Sequence, residues 1–158
     1  MPARAGLNGP RASNDSGNIA PVADRDMEVI RDQYAAVNER DWARVMSHYA
    51  EDVELVIPGS GIKAGTFRGR EAVGEWYGDW MAIFARDLHF EIRELTRLRD
   101  GSLLVIADHR VRGKASGVEL EEPVAWRYWM RDGKVARVGG FESFEDAERT
   151  AEEEGPTA

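Results

Sequence analysis

His109 is the residue whose type and spacing best suit proton transfer. It lies in the run Leu103-Leu104-Val105-Ile106-Ala107-Asp108-His109-Arg110-Val111. Strand alternation turns Leu103, Val105, Ala107, His109 and Val111 to one face and Asp108, Arg110 and Arg112 to the other. An imidazole on an apolar face is poised near neutral pH and suits general acid or base work. The same placement suits a hydrogen-bonded, inert core histidine. Glu142 is the second candidate, because the phase Ala136, Val138, Gly140, Glu142 carries it to the inner side of its strand. A carboxylate beside an apolar pocket has a raised pKa, or orients His109; the plainer reading is an exposed acid just before a helix cap at Ser143. Tyr34 and Tyr128 offer phenolic donors to a substrate oxygen, or serve as ordinary core tyrosines.

Other chemistries find less support. His48 sits near a helix end, and His89 alternates outward with Glu91. No two histidines have metal-ligand spacing with a carboxylate, so no metal site is expected. The chain has no cysteine and no Gly-x-Ser-x-Gly, which removes thiolate and nucleophile-elbow chemistry. The glycine-rich stretch from Gly59 to Gly69 lacks the Lys-Ser/Thr ending of a phosphate loop, and no cofactor is expected.

The elements that must position these residues can be read from periodicity. Asp24 or Asp26 can cap a first helix with Met27, Ile30, Tyr34 and Val37 at helical spacing. Asn38-Glu39-Arg40-Asp41 breaks it, and Asp41 can cap a second helix carrying Trp42, Val45, Met46 and Tyr49. Val53 to Ile57 alternates like a strand and stops at Pro58-Gly59. A third helix runs from about Arg70 to Ala85 with Val73, Trp76, Trp80 and Phe84 as its stripe. The period then becomes two, over Leu88–Leu98, Leu103–Ala115, Val118–Met130 and Lys134–Phe141, with turns at Asp100-Gly101, Ser116-Gly117 and Asp132-Gly133. Ser143 caps a closing helix, with Asp146 three residues on. This is an α+β layout: three N-terminal helices packed on a curved antiparallel sheet, with a short C-terminal helix. A long sheet that curls over helices makes a cone with an apolar mouth.

Composition bounds the partners. With 158 residues, 42% hydrophobic and 32% charged, the chain reads as one domain over 24–155 behind a disordered tail, 1–23, rich in Gly, Pro, Asn, Ser and Ala. The net charge of −8 argues against non-specific nucleic-acid binding. No apolar run is long enough to span a membrane, and the lack of cysteine fits a reducing cytoplasm.

Tyr34-Ala35-Ala36-Val37-Asn38-Glu39-Arg40-Asp41-Trp42 followed by Tyr49-Ala50-Glu51-Asp52-Val53 resembles the opening of SnoaL-like domains. Gly113 to Glu119, Trp129 to Val135 and Phe144-Glu145-Asp146-Ala147 continue the resemblance. These domains belong to the nuclear transport factor 2 superfamily, with ketosteroid isomerases, polyketide cyclases and limonene-epoxide hydrolases. The resemblance implies a cystatin-like cone and a homodimer, and does not assign a reaction. The general-base Asp of the isomerases would fall at Ile57, the helix-one Tyr nearest Gln33 with Tyr34 one step round, and the second Asp near Ala125 or Trp126. The epoxide-hydrolase set would fall at Ala107, His109, Gly140, Leu55 and Ile57, where His109 alone keeps an ionisable group.

The expected function is therefore a pocket for a small apolar, cyclic or terpenoid-like molecule. Leu55, Ile57, Trp76, Trp80, Phe84, Ala107, Trp126, Tyr128, Val138 and Gly140 would line it. The expected chemistry is cofactor-independent acid–base catalysis (isomerase, cyclase or hydrolase type) by His109, Glu142 and Tyr34. A non-catalytic binder or dimeric interaction module of the same fold is the alternative.

Overall fold

The computed structural model describes residues 22–59, 64–83, 88–112 and 119–156. Helix α1 (Val22–Glu39) buries the stripe Ile30, Tyr34 and Val37, with Ala36 beside it. It ends where Arg40 takes a left-handed conformation, φ 62°. That turns the chain so that the amides of Arg40 and Asp41 bond back to Val37 and Ala36. Asp41 then caps the six-residue α2 (Trp42–Ser47) by accepting from the Arg44 amide. Tyr49, expected on this helix, instead opens strand β1 (Tyr49–Ile57). The His48 amide bonds to Val45 while its carbonyl accepts from Val135, which passes the backbone from helix to sheet within one residue.

A short strand, β2 (Gly65–Arg68), lies within the stretch expected as a glycine-rich loop and pairs antiparallel with β1. Helix α3 (Arg70–Ile83) buries Val73 and Trp76. Phe84, expected on its stripe, lies outside the described residues, as does the expected Ser116-Gly117 turn. Strands β3 (His89–Arg97), β4 (Leu103–Arg112), β5 (Glu119–Arg131) and β6 (Lys134–Gly140) follow, then α4 (Phe144–Glu154). Ser143 caps α4 by accepting from the Asp146 amide at 3.1 Å.

The sheet has six strands in the order β2-β1-β6-β5-β4-β3. It is mixed rather than antiparallel throughout, because β1 runs parallel to β6. Nor do three helices stand ahead of it as a layer. One long helix, α1, and the short α2 precede the sheet, and α3 follows its first two strands. The β5–β6 hairpin turns at Asp132 (φ 53°) and Gly133 (φ 77°), and two successive positive φ values make the tight turn that matches strand twist. Register sets the inner face as rows. Phe90, His109 and Glu122 are cross-strand partners; so are Val105, Trp126 and Gly140, and Leu103, Tyr128 and Val138. The core lies between these rows and helices α1 and α3. No described helix is long and apolar enough to cross a membrane.

Candidate functional site

A cavity opens where the inner face of β5 meets α1 and α3. Its lining is Gln33, Tyr34, Val37, Trp76, Tyr77, Trp80, Phe90, Trp126 and Tyr128. The Tyr34 and Tyr128 hydroxyls, 2.8 Å apart, share one hydrogen bond. The Tyr49 hydroxyl donates to that of Tyr77 at 2.9 Å. Burial pushes all four phenols above their usual pKa, so they remain protonated donors. Within the Tyr34–Tyr128 pair one proton is used internally, which leaves the accepting hydroxyl its own proton to give to a ligand oxygen.

Gln33 completes this polar end. It is only 2% exposed, yet neither its amide nitrogen nor its oxygen has a hydrogen-bond partner in the structure. Its carboxamide is near enough to the Tyr49 hydroxyl to favour that group's ionisation slightly, but not in bonding geometry. A buried amide left this way costs about 1–3 kcal/mol, and a polar group entering the cavity would supply the missing partner.

The remaining walls are rings. Trp76 and Trp80 stack with centroids 6.1 Å apart, and Trp126 meets Trp76 edge-on at 6.4 Å. Phe90 stands edge-on to Tyr34 at 5.6 Å. Asn38 holds Phe90 there, donating to its carbonyl and accepting from its amide, both at 2.8 Å. The cavity as it stands is about 30 Å³, room for a water or two but not for a ring. Trp126, half-buried, forms part of its wall. On the other side of Trp126 lies a wider groove of about 450 Å³, whose lining includes Ile57, Pro58, Gly140 and Glu142.

His109 is buried one ring layer behind the cavity. It lies parallel to Phe90 at 4.8 Å and to Trp80 at 5.4 Å. Burial lowers its pKa, and the Glu122 carboxylate pulls it partly back up. The imidazole is therefore neutral at pH 7. The acid in register with His109 is Glu122, not Glu142, which lies exposed on the groove. Among the other expected site residues, Tyr34, Trp76, Trp80, Trp126 and Tyr128 share the cavity. Ile57 and Gly140 line the groove instead. Leu55, Ala107 and Val138 are fully buried in the core and line neither space, because neighbouring side chains fill the sheet centre. Phe84 is outside the described residues. Among the described residues no three His, Cys, Asp or Glu groups converge as metal ligands.

Sequence reasoning missed Gln33, Tyr77, Phe90 and Glu122 as site residues. Gln33 carried a usable signal: it sits between Ile30 and Val37, a polar residue inside the apolar stripe of α1. Phe90 shows only the ordinary alternation of a strand.

A six-strand mixed sheet enclosing an aromatic cavity against α1 and α3 defines an α+β fold of the nuclear transport factor 2 and ketosteroid isomerase-like type. The SnoaL-like domain profile matches residues 30–138, and the chain belongs to that family. Rv0034 of Mycobacterium tuberculosis, an uncharacterized protein, is 30% identical over 118 residues, covering 75% of this chain and 88% of its own. TerC, solved with polyporic acid, is similar with a TM-score of 0.66 at 23% identity over 81% of this chain and 98% of its own. Rv0760c of M. tuberculosis, solved with estradiol-17β-hemisuccinate, gives a TM-score of 0.65 at 16% identity over 77% of this chain and 95% of its own.

Proposed function

We propose that this chain binds a small, largely apolar ring molecule under Trp126, with one ligand oxygen held by Gln33 and the Tyr34–Tyr128 pair. The observation that carries this reading is the Gln33 carboxamide, buried and without a hydrogen-bond partner at the wall of an aromatic cavity. Trp126 turns outward to admit the ring, joining the cavity to the groove beyond it. The small molecules held by TerC and Rv0760c support the same use of the fold. Titration with 4-phenylphenol, followed by tryptophan fluorescence and calorimetry, tests it. Loss of a ligand hydrogen bond in Gln33→Met weakens binding about tenfold. Equal affinity in the two proteins overturns the reading.

A second reading adds proton transfer, of isomerase, cyclase or hydrolase type without cofactor. It is favoured by a neutral imidazole one ring layer from the cavity, with tyrosine donors among the cavity lining. In this reading the Phe90 or Trp80 ring swings aside so that His109 reaches the ligand, takes a proton from the carbon next to a ring carbonyl and returns it to the ring, while the Tyr34–Tyr128 pair stabilises the charge that develops on the carbonyl oxygen. Hydrogen–deuterium exchange of 2-tetralone in D2O, read by NMR, separates the two readings. Catalysed exchange that disappears in His109→Ala supports chemistry; exchange at the buffer rate leaves a binder alone.

A further inference from the structure

Resting on that binding reading, we infer that the groove beyond Trp126 is the second half of the ligand site and selects molecules bearing a protonated amine on the end remote from the ring oxygen. Trp126 lines both spaces, so its displacement makes them one continuous pocket. At the inner end, Gln33 and the tyrosine hydroxyls supply neutral hydrogen-bonding groups. The outer end is different. Its walls mix rings with polar groups: Phe141 and Phe144 line it with Trp126, and its charged lining residues are Glu122 and Glu142. No lysine or arginine is among the described residues that line it.

Because β5 and β6 run antiparallel, both carboxylates fall on the same side of the Trp126–Gly140 row. Glu122 lies on β5 four residues before Trp126 and on the same face. Glu142 lies two residues beyond Gly140, the cross-strand partner of Trp126. Among the described residues neither carboxylate is bonded to a basic side chain. Two carboxylates on one groove, with no basic side chain among its described lining, favour a cation there over an anion. The ring faces add attraction for an ammonium group. An anionic tail meets both carboxylates and is rejected. The site therefore reads charge at one end and a single oxygen at the other, which is a narrower ligand class than an apolar ring.

Three probes with one ring body test this: 4-phenylphenol, 4′-(aminomethyl)biphenyl-4-ol and 4′-hydroxybiphenyl-4-carboxylate. In the wild-type chain the amine binds about tenfold tighter than the neutral phenol, and the carboxylate about tenfold weaker. In Glu122→Gln/Glu142→Gln the three affinities converge. Both glutamates are exposed, so circular dichroism of this variant matches the wild type. Equal affinities in the wild type, or a ranking that survives in the double variant, overturn the groove proposal while neutral-phenol binding leaves the cavity reading standing. If the neutral phenol also fails to bind, the cavity reading falls and takes the groove with it.

Discussion

Replacing Gln33 by Met should stabilise this protein while weakening its site. Gln33 is 2% exposed and both of its amide atoms are without hydrogen-bond partners. A buried polar group in that condition costs about 1–3 kcal/mol. Methionine has the same unbranched length and nearly the same helix propensity, so α1 contributes no opposing change. Fitting a thioether where an amide stood costs less than about 1.5 kcal/mol. The net expectation is a gain of about 1–2 kcal/mol, or roughly 3–8 °C in Tm for a chain of this size. Urea unfolding followed by circular dichroism measures it: the midpoint should rise at constant m-value. The same variant loses affinity for 4-phenylphenol. Stability gained and binding lost at one residue is the signature of a polar group kept for a ligand. A fall of more than about 1 kcal/mol would show that Gln33 is bonded within the folded chain, and the reasoning about the site would be refuted.

Further measurements probe the supports of the site. Tyr34→Phe and Tyr128→Phe each strand a buried hydroxyl and cost about 1–3 kcal/mol, while the double variant costs less than their sum; an additive cycle in urea denaturation would count against the 2.8 Å pair. Asn38→Ala removes both hydrogen bonds to the Phe90 backbone and lowers stability by about 2 kcal/mol, with faster amide exchange at Phe90; unchanged exchange would show that the strand holds itself. His109 has a folded pKa below its unfolded value of 6.5, so the unfolded chain binds the proton first. Stability therefore falls as pH drops from above 6.5 to the folded pKa and levels off below it. His109→Phe abolishes that slope, and Glu122→Gln moves the NMR titration of His109 lower still. In Gly140→Ala the new methyl carbon would lie 3.3 Å from the Trp126 ring and 3.5 Å from Pro58, so Trp126 must tilt. The expected readouts are a changed tryptophan emission and a loss of about 1 kcal/mol; an unaltered spectrum would mean that Trp126 does not rest on Gly140.

Local physics is what the sequence determined by itself. The stripe on α1, the caps at Asp41 and Ser143 and the Asp-Gly turn before Lys134 each depend on residues within a few positions, and each forms where those residues stand. Alternation likewise set the inward face of β4, with His109 on it, because side-chain direction along a strand has a period of two. Tertiary structure decided what those faces meet. The parallel pairing of β1 with β6 joins segments about eighty residues apart, and no local signal encodes its direction. That register, with the antiparallel ladder beside it, put Glu122 opposite His109 and left Glu142 on the groove. It also packed Leu55, Ala107 and Val138 into the filled centre of the sheet rather than along a pocket. Gln33 shows the division most plainly. Its place in an apolar stripe was visible in the sequence, but its lack of a hydrogen-bond partner depends on where four tyrosine hydroxyls from α1, β1, α3 and β5 come to lie.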